Sequence, residues 1–292
     1  MTATVAISID ELLARGREKL ARAAEDPGHE AEILLAAALG RNRAYLKAHS
    51  QMQLLESEAI GRYESLLARR ARGEPVAYLL GEREFWSLPL EVEPSVLIPR
   101  PETELVVERS LEHLPADSTS TVLDLAAGSG AIALAIARER PGCRVVGTDS
   151  SAAAVRLARR NAVRNGLERT EFRSGDWYEP VRGERFALIA SNPPYIAEDD
   201  PRVEDAVRRF EPRDALIAGP TGLEALSCVI AGAPQHLFEG GWLVLEHGNL
   251  QGPDVRSMLA ASGFDSVATH RDLAGLERCT DARWPRAATD RA

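Results

Sequence analysis

The sequence contains very little lysine. Lys19 and Lys47 are the only two among 35 basic residues, and neither lies in a glycine-rich loop. Lysine-dependent phosphate loops and Schiff-base chemistry both require a lysine at the site. P-loop nucleotidases and pyridoxal-type enzymes are therefore excluded as function classes.

Cysteine and histidine are also sparse, with three and six residues in a chain of 292. Cys143, Cys228 and Cys279 lie far apart, without the close spacing of a metal site or a redox pair. The histidines form no HExxH motif. We therefore expect reduced thiols in a cytoplasmic protein and no catalytic metal ion.

Long apolar runs are missing as well. No stretch approaches the roughly 18 uninterrupted apolar residues of a membrane-spanning helix. The first thirty residues are acidic rather than basic, which fits neither a signal peptide nor a transit peptide. A formal net charge of -9 argues against holding nucleic acid by neutralising phosphates. We expect a cytoplasmic monomer with no stable nucleic-acid partner and no membrane partner.

The composition along the chain predicts a small helical domain over residues 1–73. This part is rich in Ala, Leu, Glu and Arg, and Ser8-Ile9-Asp10-Glu11 is typical of a capped helix start. Gly73-Glu74-Pro75 breaks the helical pattern. Residues 74–101 are predicted to form a connector, with short extended pieces over residues 78–101 that glycine and prolines interrupt.

Residues 102–292 predict a domain of α/β class. From Ser120 onwards, short β-branched runs alternate with helical stretches, which is typical of βαβ units and a parallel sheet. Predicted strands cover residues 122–125, 144–149, 170–173, 186–191, 242–246 and 266–270, and predicted helices cover residues 131–140, 151–165, 222–238 and 252–261.

A glycine-rich loop connects the first predicted strand of this domain to its first helix. Gly128 and Gly130 let the backbone approach a ligand, and the following helix start presents free N–H groups. Asp149 ends the next strand, where its carboxylate could accept hydrogen bonds from two ribose hydroxyls. Gly128-x-Gly130-x-x-Ala133 also satisfies a dinucleotide fingerprint. A nucleoside-containing cofactor is indicated, but its identity stays open, and a tight turn without a ligand is the alternative.

Residues 192–195, Asn-Pro-Pro-Tyr, end another apolar strand at the sheet edge where open α/β sheets bind ligands. Pro193 and Pro194 have no N–H, so the loop is stiff and its carbonyls lack local donors. Asn192 adds an acceptor oxygen, and Tyr195 adds a flat aromatic face. Together they suit an NH2 group on a planar π-system, either a carboxamide or an exocyclic base amine. A proline-rich strand exit without function is the alternative.

Such a nitrogen is a poor nucleophile because its lone pair is delocalised. The Asn192 side-chain oxygen and the Pro193 carbonyl could accept hydrogen bonds from its two N–H groups. This would direct the lone pair toward an electrophile. These acceptors bind more tightly as the nitrogen gains positive charge, so they favour the transition state. We therefore predict catalytic roles for Asn192, Pro193 and Tyr195, without a strong general base.

The glycine loop, Asp149 and residues 192–195, in that order, resemble class I S-adenosylmethionine-dependent methyltransferases that act on nitrogens of planar systems. Residues 73–104, together with SNPPYI, RFEPRDAL (209–216) and LVLEHG (243–248), resemble the HemK/PrmC family. Its members methylate the side-chain amide nitrogen of the glutamine in the Gly-Gly-Gln motif of peptide-chain release factors. The resemblance extends from the N-terminal helical region to about Arg278.

The resemblance implies a Rossmann-like seven-stranded methyltransferase domain and a small N-terminal helical domain that helps to recognise the release factor. It implies S-adenosylmethionine as the cofactor and residues 192–195 (Asn192, Pro193, Pro194 and Tyr195) as the binding site for the substrate amide. The cofactor-binding residues that it implies are Ala126, Ala127, Gly128, Ser129, Gly130, Asp149, Trp177 and Asn192.

Two departures from the family pattern raise structural questions. Ala126 stands where the family usually has glycine, so we expect the backbone there to avoid positive φ or the loop to shift. Residues 279–284 are less apolar than the family's usual last strand, which leaves the packing of that strand open.

Three other functions remain as alternatives. The nearest is a methyltransferase of an exocyclic amine in DNA or RNA, because the same tetrapeptide suits such an amine. The others are a nicotinamide-dependent oxidoreductase and a catalytically silent nucleotide-binding adaptor.

Overall fold

The computed structural model describes residues 6–55 and 58–286, so the outer ends of both predicted domains lie outside the described residues. The chain divides into two compact units, with the boundary between Gly81 and Glu82. Among the described helices, none has the length and apolar character needed to cross a membrane.

The first unit is mainly helical. Its helices are α1 Ile9–Leu20, α2 Pro27–Leu39, α3 Arg43–Ala48, α4 Glu58–Arg70 and α5 Val76–Leu80, and its short antiparallel strands are β1 Ala6–Ser8 and β2 Gln53–Leu55. The expected helix cap is present, because the Ser8 and Glu11 side chains each accept a hydrogen bond from the other residue's backbone N–H. Leu12, Leu34 and Tyr63 lie in the apolar core that α1, α2 and α4 share.

The interval predicted as a connector contains regular structure and spans the boundary between the units. Residues 76–80 form a helix, so the prediction of extended structure from Tyr78 onwards is wrong for residues 78–80. Pro75 precedes the helix and fixes its backbone entry, and Gly81 ends it with a φ of 77°. The second unit then begins with a hairpin of β3 Glu82–Phe85 and β4 Leu88–Glu91.

The second unit is an α/β domain. Its remaining strands are β5 Thr121–Leu125, β6 Arg144–Asp149, β7 Glu171–Ser174, β8 Phe186–Ser191, β9 Ile196–Ala197, β10 Ile217–Gly219, β11 Leu237–Glu246, β12 Asp265–Arg271 and β13 Glu277–Arg283. Its helices are α6 Glu104–His113, α7 Ala131–Glu139, α8 Ala152–Arg164, α9 Asp205–Phe210, α10 Glu224–His236 and α11 Gly252–Ala261.

Seven strands form one sheet in the order β12-β13-β11-β8-β5-β6-β7. β11, β8, β5, β6 and β7 are parallel, whereas β13 runs antiparallel to both of its neighbours. Chain order reverses between β5 and β8, which makes the carboxyl ends of these strands the expected ligand-binding edge. The predicted Rossmann-like seven-stranded sheet is confirmed.

Apolar residues cover both faces of the sheet. In β5, Val122 points into a core shared with α6, α7 and α8, whereas Leu123 and Leu125 belong to a core shared with α10 and α11. The alternation follows from the two-residue period of a strand. The resulting three layers fix the positions of the strand ends and therefore of the loops that follow them.

The last strand, β13, carries a buried carboxylate, Asp281, whose charge is compensated by a cluster of hydrogen-bond partners. Asp281 is 2% exposed, and its Oδ2 accepts hydrogen bonds from Arg109 Nε and His113 Nε2, each at 3.0 Å. His270 Nε2 lies 3.1 Å from the same oxygen. Burial alone would raise the pKa of Asp281, but the hydrogen bonds outweigh it and lower the pKa to about 2. This cluster answers the question of how β13 packs.

Candidate active site

A cleft of about 430 Å³ opens in the second unit, where β5 and β6 end. This volume falls in the range of small-molecule sites, and the cleft lies next to the switch point between β5 and β8. The cleft is lined by residues from the ends of these strands and from four further segments: Ser95, Val96, Leu97, Ala126, Gly128, Thr148, Asp149, Ser150, Ser151, Ala154, Gly175, Asp176, Trp177, Pro194, Pro212, Asp214 and Ala215.

Asp149 lies at the end of β6 with its carboxylate fixed by two backbone groups. Gly128 N donates to Oδ2 and Ser151 N donates to Oδ1, each at 2.8 Å. Burial raises the pKa of this carboxyl, and the two backbone hydrogen bonds oppose that effect. Each oxygen keeps a further lone pair. The arrangement therefore offers two oriented acceptors to a diol such as a ribose.

The glycine loop passes through left-handed conformations at Ala126, Gly128 and Gly130, with φ values of 64°, 55° and 84°. Ala126 has a positive φ, so the first of the two expectations, that its backbone avoids positive φ, is wrong. Ala127 N donates to Thr148 O at 2.9 Å, and Gly130 N donates to Ala127 O at 2.8 Å, so hydrogen bonds on either side hold the turn. They offset a strain of order 1–3 kcal/mol for a residue with a Cβ in this region.

Residues 126–130 divide into two groups by position. Ala126 and Gly128 line the cleft. Ala127 and Ser129 are buried, and a Cβ on Gly130 would lie 2.9 Å from Phe172 Cζ, so the loop packs tightly on β7 there. Ala127, Ser129 and Gly130 therefore maintain the shape of the loop and are not among the residues that line the cleft.

The tetrapeptide of residues 192–195 follows β8, beside the cleft. Ser191 Oγ donates to Leu125 O at 2.6 Å and joins the end of β8 to the end of β5. Pro194 lines the cleft, and Pro193 is buried. Asn192 Nδ2 donates to Thr103 Oγ1 at 3.1 Å. This bond engages the donor end of the amide and leaves the acceptor end, Oδ1, for a ligand.

Tyr195 is held by its hydroxyl, which donates to Glu246 Oε1 at 3.1 Å. Burial, and then the nearby Glu246 charge, raise the pKa of Tyr195, so its hydroxyl stays protonated. The bond limits rotation of the ring that was predicted to stack on a planar group. Glu246 ends β11, so the carboxyl ends of β5, β6, β8 and β11 meet around one site.

Comparison with known proteins places the chain in a family. Residues 107–211 match the model of the methyltransferase small domain, and residues 11–81 match that of the PrmC N-terminal domain. The chain is 50% identical over 274 residues to the release factor glutamine methyltransferase of Xylella fastidiosa strain Temecula1, covering 94% of this chain and 97% of that protein. It is 44% identical over 263 residues to the Escherichia coli K12 protein of the same name, covering 90% and 94%. The chain belongs to the release factor glutamine methyltransferase family.

A solved structure shares the fold of this family member. The 16S rRNA N2 G1207 methyltransferase of T. thermophilus, in complex with AdoMet and guanosine, superimposes with a TM-score of 0.52 at 22% identity, covering 69% of this chain and 49% of that chain. The domain therefore has the class I methyltransferase fold. The cofactor, S-adenosylmethionine, follows from membership of the release factor glutamine methyltransferase family.

The cleft of this release factor glutamine methyltransferase homologue fits such a cofactor. A Cβ placed on Gly128 meets no atom within 4 Å, although the residue lines the cleft, so the space above the loop is open to a ligand. Asp149 presents its two acceptors in the same cleft. Trp177 lines it as well, with its φ at 40° and its carbonyl accepting from Thr148 Oγ1 at 3.4 Å.

Glu211 is a buried carboxylate next to the cleft that is not among the predicted site residues. Glu211 is 5% exposed, and its carboxylate accepts from Ile98 N at 3.1 Å and Arg100 Nη2 at 2.5 Å. These bonds join two segments that line the cleft, residues 95–97 and 212–215. Both segments adjoin or lie within stretches that resemble the HemK/PrmC family, residues 73–104 and 209–216, but the sequence alone does not show that they meet.

Asp124 lies beneath the loop and is fully buried. Its Oδ2 accepts from Ala133 N at 2.9 Å, at the start of α7, whereas its Oδ1 has no hydrogen-bond partner in residues 6–55 and 58–286. Burial raises the pKa of Asp124 to about 7, and the nearby Asp149 charge adds to the shift. The carboxylate therefore ties the end of β5 to the first turn of α7 at a cost in desolvation.

Proposed function

We propose that this protein transfers a methyl group from S-adenosylmethionine to the side-chain amide nitrogen (N5) of the glutamine in the Gly-Gly-Gln motif of peptide-chain release factors. The observation that carries the proposal is the identity of 50% with a release factor glutamine methyltransferase over 94% of this chain. The acceptor geometry at Asn192 supports the same chemistry.

S-adenosylmethionine supplies an electrophilic methyl group bound to a positively charged sulfur. We propose that Asp149 holds the ribose hydroxyls through both carboxylate oxygens and that Trp177 flanks the adenine. Ala126 and Gly128 let the loop backbone approach the methionine part, while Ala127, Ser129 and Gly130 keep the loop in shape. Asn192 lies where the cofactor and substrate sites meet.

The substrate glutamine would present its NH2 group to the end of β8. Asn192 Oδ1 and the Pro193 carbonyl would each accept a hydrogen bond from one of its two N–H groups. The nitrogen lone pair would then face the methyl donor. Pro194 keeps the Pro193 carbonyl clear of local backbone donors, and Tyr195 packs against the planar amide. In an in-line displacement the nitrogen–carbon bond would form as the methyl–sulfur bond breaks, and S-adenosylhomocysteine would leave. The nitrogen would gain positive charge, so both acceptors would bind it more strongly in the transition state. No strong base is needed, because the methylated nitrogen holds its proton only weakly.

We propose that the helical unit, residues 6–81 where described, helps to bind the folded release factor, as the resemblance to the HemK/PrmC family implies. The domain boundaries 1–73, 74–101 and 102–292 stay a prediction. A monomer working in the cytoplasm, without a stable nucleic-acid or membrane partner, stays a prediction.

The test is transfer of radiolabelled methyl from S-adenosylmethionine to a purified, unmethylated bacterial release factor. We expect label on the wild-type factor and none when its Gly-Gly-Gln glutamine is replaced by alanine. Asn192→Ala should lower kcat by about 10²–10³-fold, because one transition-state acceptor is lost. Its Kd for S-adenosylmethionine should stay within about twofold of wild type.

Asn165→Ala is the matched control. Asn165 also hydrogen-bonds through Nδ2, but its partners are the carbonyls of Pro89 and Asn161 near the end of α8. This variant should keep the wild-type kcat. A wild-type rate in Asn192→Ala would refute the mechanism, and label on DNA or RNA but not on the release factor would favour the base-amine alternative.

A further inference from the structure

The side-chain amide of Gln251 makes three hydrogen bonds to backbone groups. Gln251 lies directly before α11, in the loop that follows β11. Its Oε1 accepts from Gly248 N at 2.8 Å, and its Nε2 donates to Tyr195 O at 3.0 Å and to Gly222 O at 3.1 Å. One side chain therefore connects the segment after β8, the segment after β11 and the segment before α10.

The partners of this amide fix its orientation. A backbone N–H only donates and a backbone carbonyl only accepts, so Gly248 N requires the oxygen of the amide and Tyr195 O requires its nitrogen. Gln251 N also donates to Gly248 O at 2.9 Å, which closes the loop between these two residues. A rotated amide would place its oxygen against two carbonyls, so the side chain has one favourable arrangement.

The surroundings of the Tyr195 carbonyl are tightly packed. Gly222 is buried and has a φ of 79°, and a Cβ at this position would lie 2.7 Å from Tyr195 O and 3.1 Å from Gln251 Nε2. Only glycine fits there, both for its φ and for the space. The carbonyl therefore lies between the backbone of Gly222 and the amide of Gln251, with little room to move.

Tyr195 is held at both its backbone and its ring by residues at or after the end of β11. Its hydroxyl donates to Glu246 Oε1 at 3.1 Å, and its carbonyl accepts from Gln251. The two prolines before it each hold φ near about −65°, so the tetrapeptide is a stiff segment. A shift of the backbone at Tyr195 is therefore transmitted to the Pro193 carbonyl and to Asn192.

We propose that Gln251 is a positioning residue of the active site, which holds residues 192–195 against the loop after β11 through the Tyr195 carbonyl. This inference rests on the function proposed above. Gln251 acts through Tyr195 without touching the reacting atoms. Its loss should displace the two acceptors, Asn192 Oδ1 and the Pro193 carbonyl, from the line of methyl transfer. A misplacement of about 1 Å can lower a rate about 100-fold.

Gln251→Met and Gln251→Glu test the role of the amide. Gln251→Met keeps a side chain of similar length and removes all three hydrogen bonds. We expect kcat about 10- to 100-fold lower, with a Kd for S-adenosylmethionine and a KM for the release factor close to wild type. Gln251→Glu keeps an acceptor for Gly248 N but turns an oxygen toward Tyr195 O and Gly222 O. It should lower kcat at least as much, which assigns the effect to the donor end of the amide.

Gln235→Met and Gln235→Glu are the matched controls. Gln235 is exposed on α10, so these variants make the same changes of side chain and charge away from the tetrapeptide contacts. Both should keep the wild-type kcat when every variant is assayed below its unfolding temperature. A wild-type kcat in Gln251→Met, or a loss that tracks cofactor affinity or the folded fraction, would overturn the proposal.

The NMR signal of the Tyr195 carbonyl in the free protein separates this inference from the proposed function. Tyr195-Ile196 is the one Tyr-Ile pair in the sequence, so labelling with [1-13C]tyrosine and [15N]isoleucine gives a single HNCO cross-peak. Its carbonyl shift should move upfield in both Gln251 variants, because the accepted hydrogen bond is lost, and stay unchanged in both Gln235 variants. An unchanged signal in Gln251→Met would overturn the positioning role. If the wild type failed to methylate release factors, the proposed function would fall, while the shifted signal would still support a tetrapeptide held by Gln251.

Discussion

Replacement of Asp149 by asparagine should weaken S-adenosylmethionine binding by removing a contact to the ribose hydroxyls. Each carboxylate oxygen now accepts one backbone N–H at 2.8 Å and keeps a lone pair for a ribose hydroxyl. The asparagine side chain would keep one acceptor and turn an NH2 group toward either Gly128 N or Ser151 N. A hydrogen bond to a charged group is worth about 1.5–3 kcal/mol. We therefore expect Kd to rise about 10- to 150-fold.

Isothermal titration calorimetry with S-adenosylhomocysteine and its 2′-deoxy analogue checks the assignment. The loss in Asp149→Asn should be clearly smaller for the analogue, which lacks one of the hydroxyls that Asp149 is proposed to hold. Asp265→Asn, an exposed change of equal charge on β12, should leave both affinities unchanged. An unchanged Kd in Asp149→Asn, or an equal loss with both ligands, would refute the ribose role.

Three further substitutions separate stability from binding. Gly147→Ala should lower the free energy of unfolding by about 1–3 kcal/mol in urea titrations, because its Cβ would lie 2.6 Å from Phe172 Cδ1. Gly128→Ala should weaken binding of S-adenosylmethionine in calorimetry, because its Cβ enters open space at the cleft. It should also lower the free energy of unfolding by about 1–3 kcal/mol, because the backbone there has a φ of 55°. Asp281→Asn should lower stability at pH 7 by about 2–3 kcal/mol. Since the pKa of Asp281 is lowered to about 2, this difference should shrink in urea titrations as the pH falls from about 4 towards 2. Equal stability of Asp281→Asn and wild type at pH 7 would contradict the account of β13.

Local sequence patterns correctly predicted strands in which the pattern of buried residues is uninterrupted. The strand ending at Asp149 was placed at residues 144–149, where the structure has it. The strand placed at residues 242–246 begins instead at Leu237, because Gly240 and Gly241 resemble a strand break. The pairing with β8 is irregular between Leu237 and Trp242, and such irregularities have no simple sequence pattern.

Long-range partners explain what local patterns could not predict. Ala126 adopts positive φ because backbone bonds around it hold the turn, although an alanine prefers negative φ. Thr103 meets Asn192 across 89 positions of chain, and Asp281 meets Arg109 across 172. A threonine or an aspartate in a polar segment carries no signal of such a partner until the fold brings them together.

Residues at the ends of two different strands are proposed to serve cofactor binding and turnover separately. Asp149, at the end of β6, is proposed to contact the ribose, which does not change during methyl transfer, so its hydrogen bonds stabilise ground state and transition state alike. Asn192 and Pro193, after β8, contact the nitrogen that gains charge, so their contribution appears only as the reaction proceeds. Changes at the end of β6 should therefore alter cofactor affinity and leave kcat nearly intact, whereas changes at residues 192 and 193 after β8 should do the reverse. A single variant that altered both parameters strongly would show that the two strand ends are coupled through the loop beneath them.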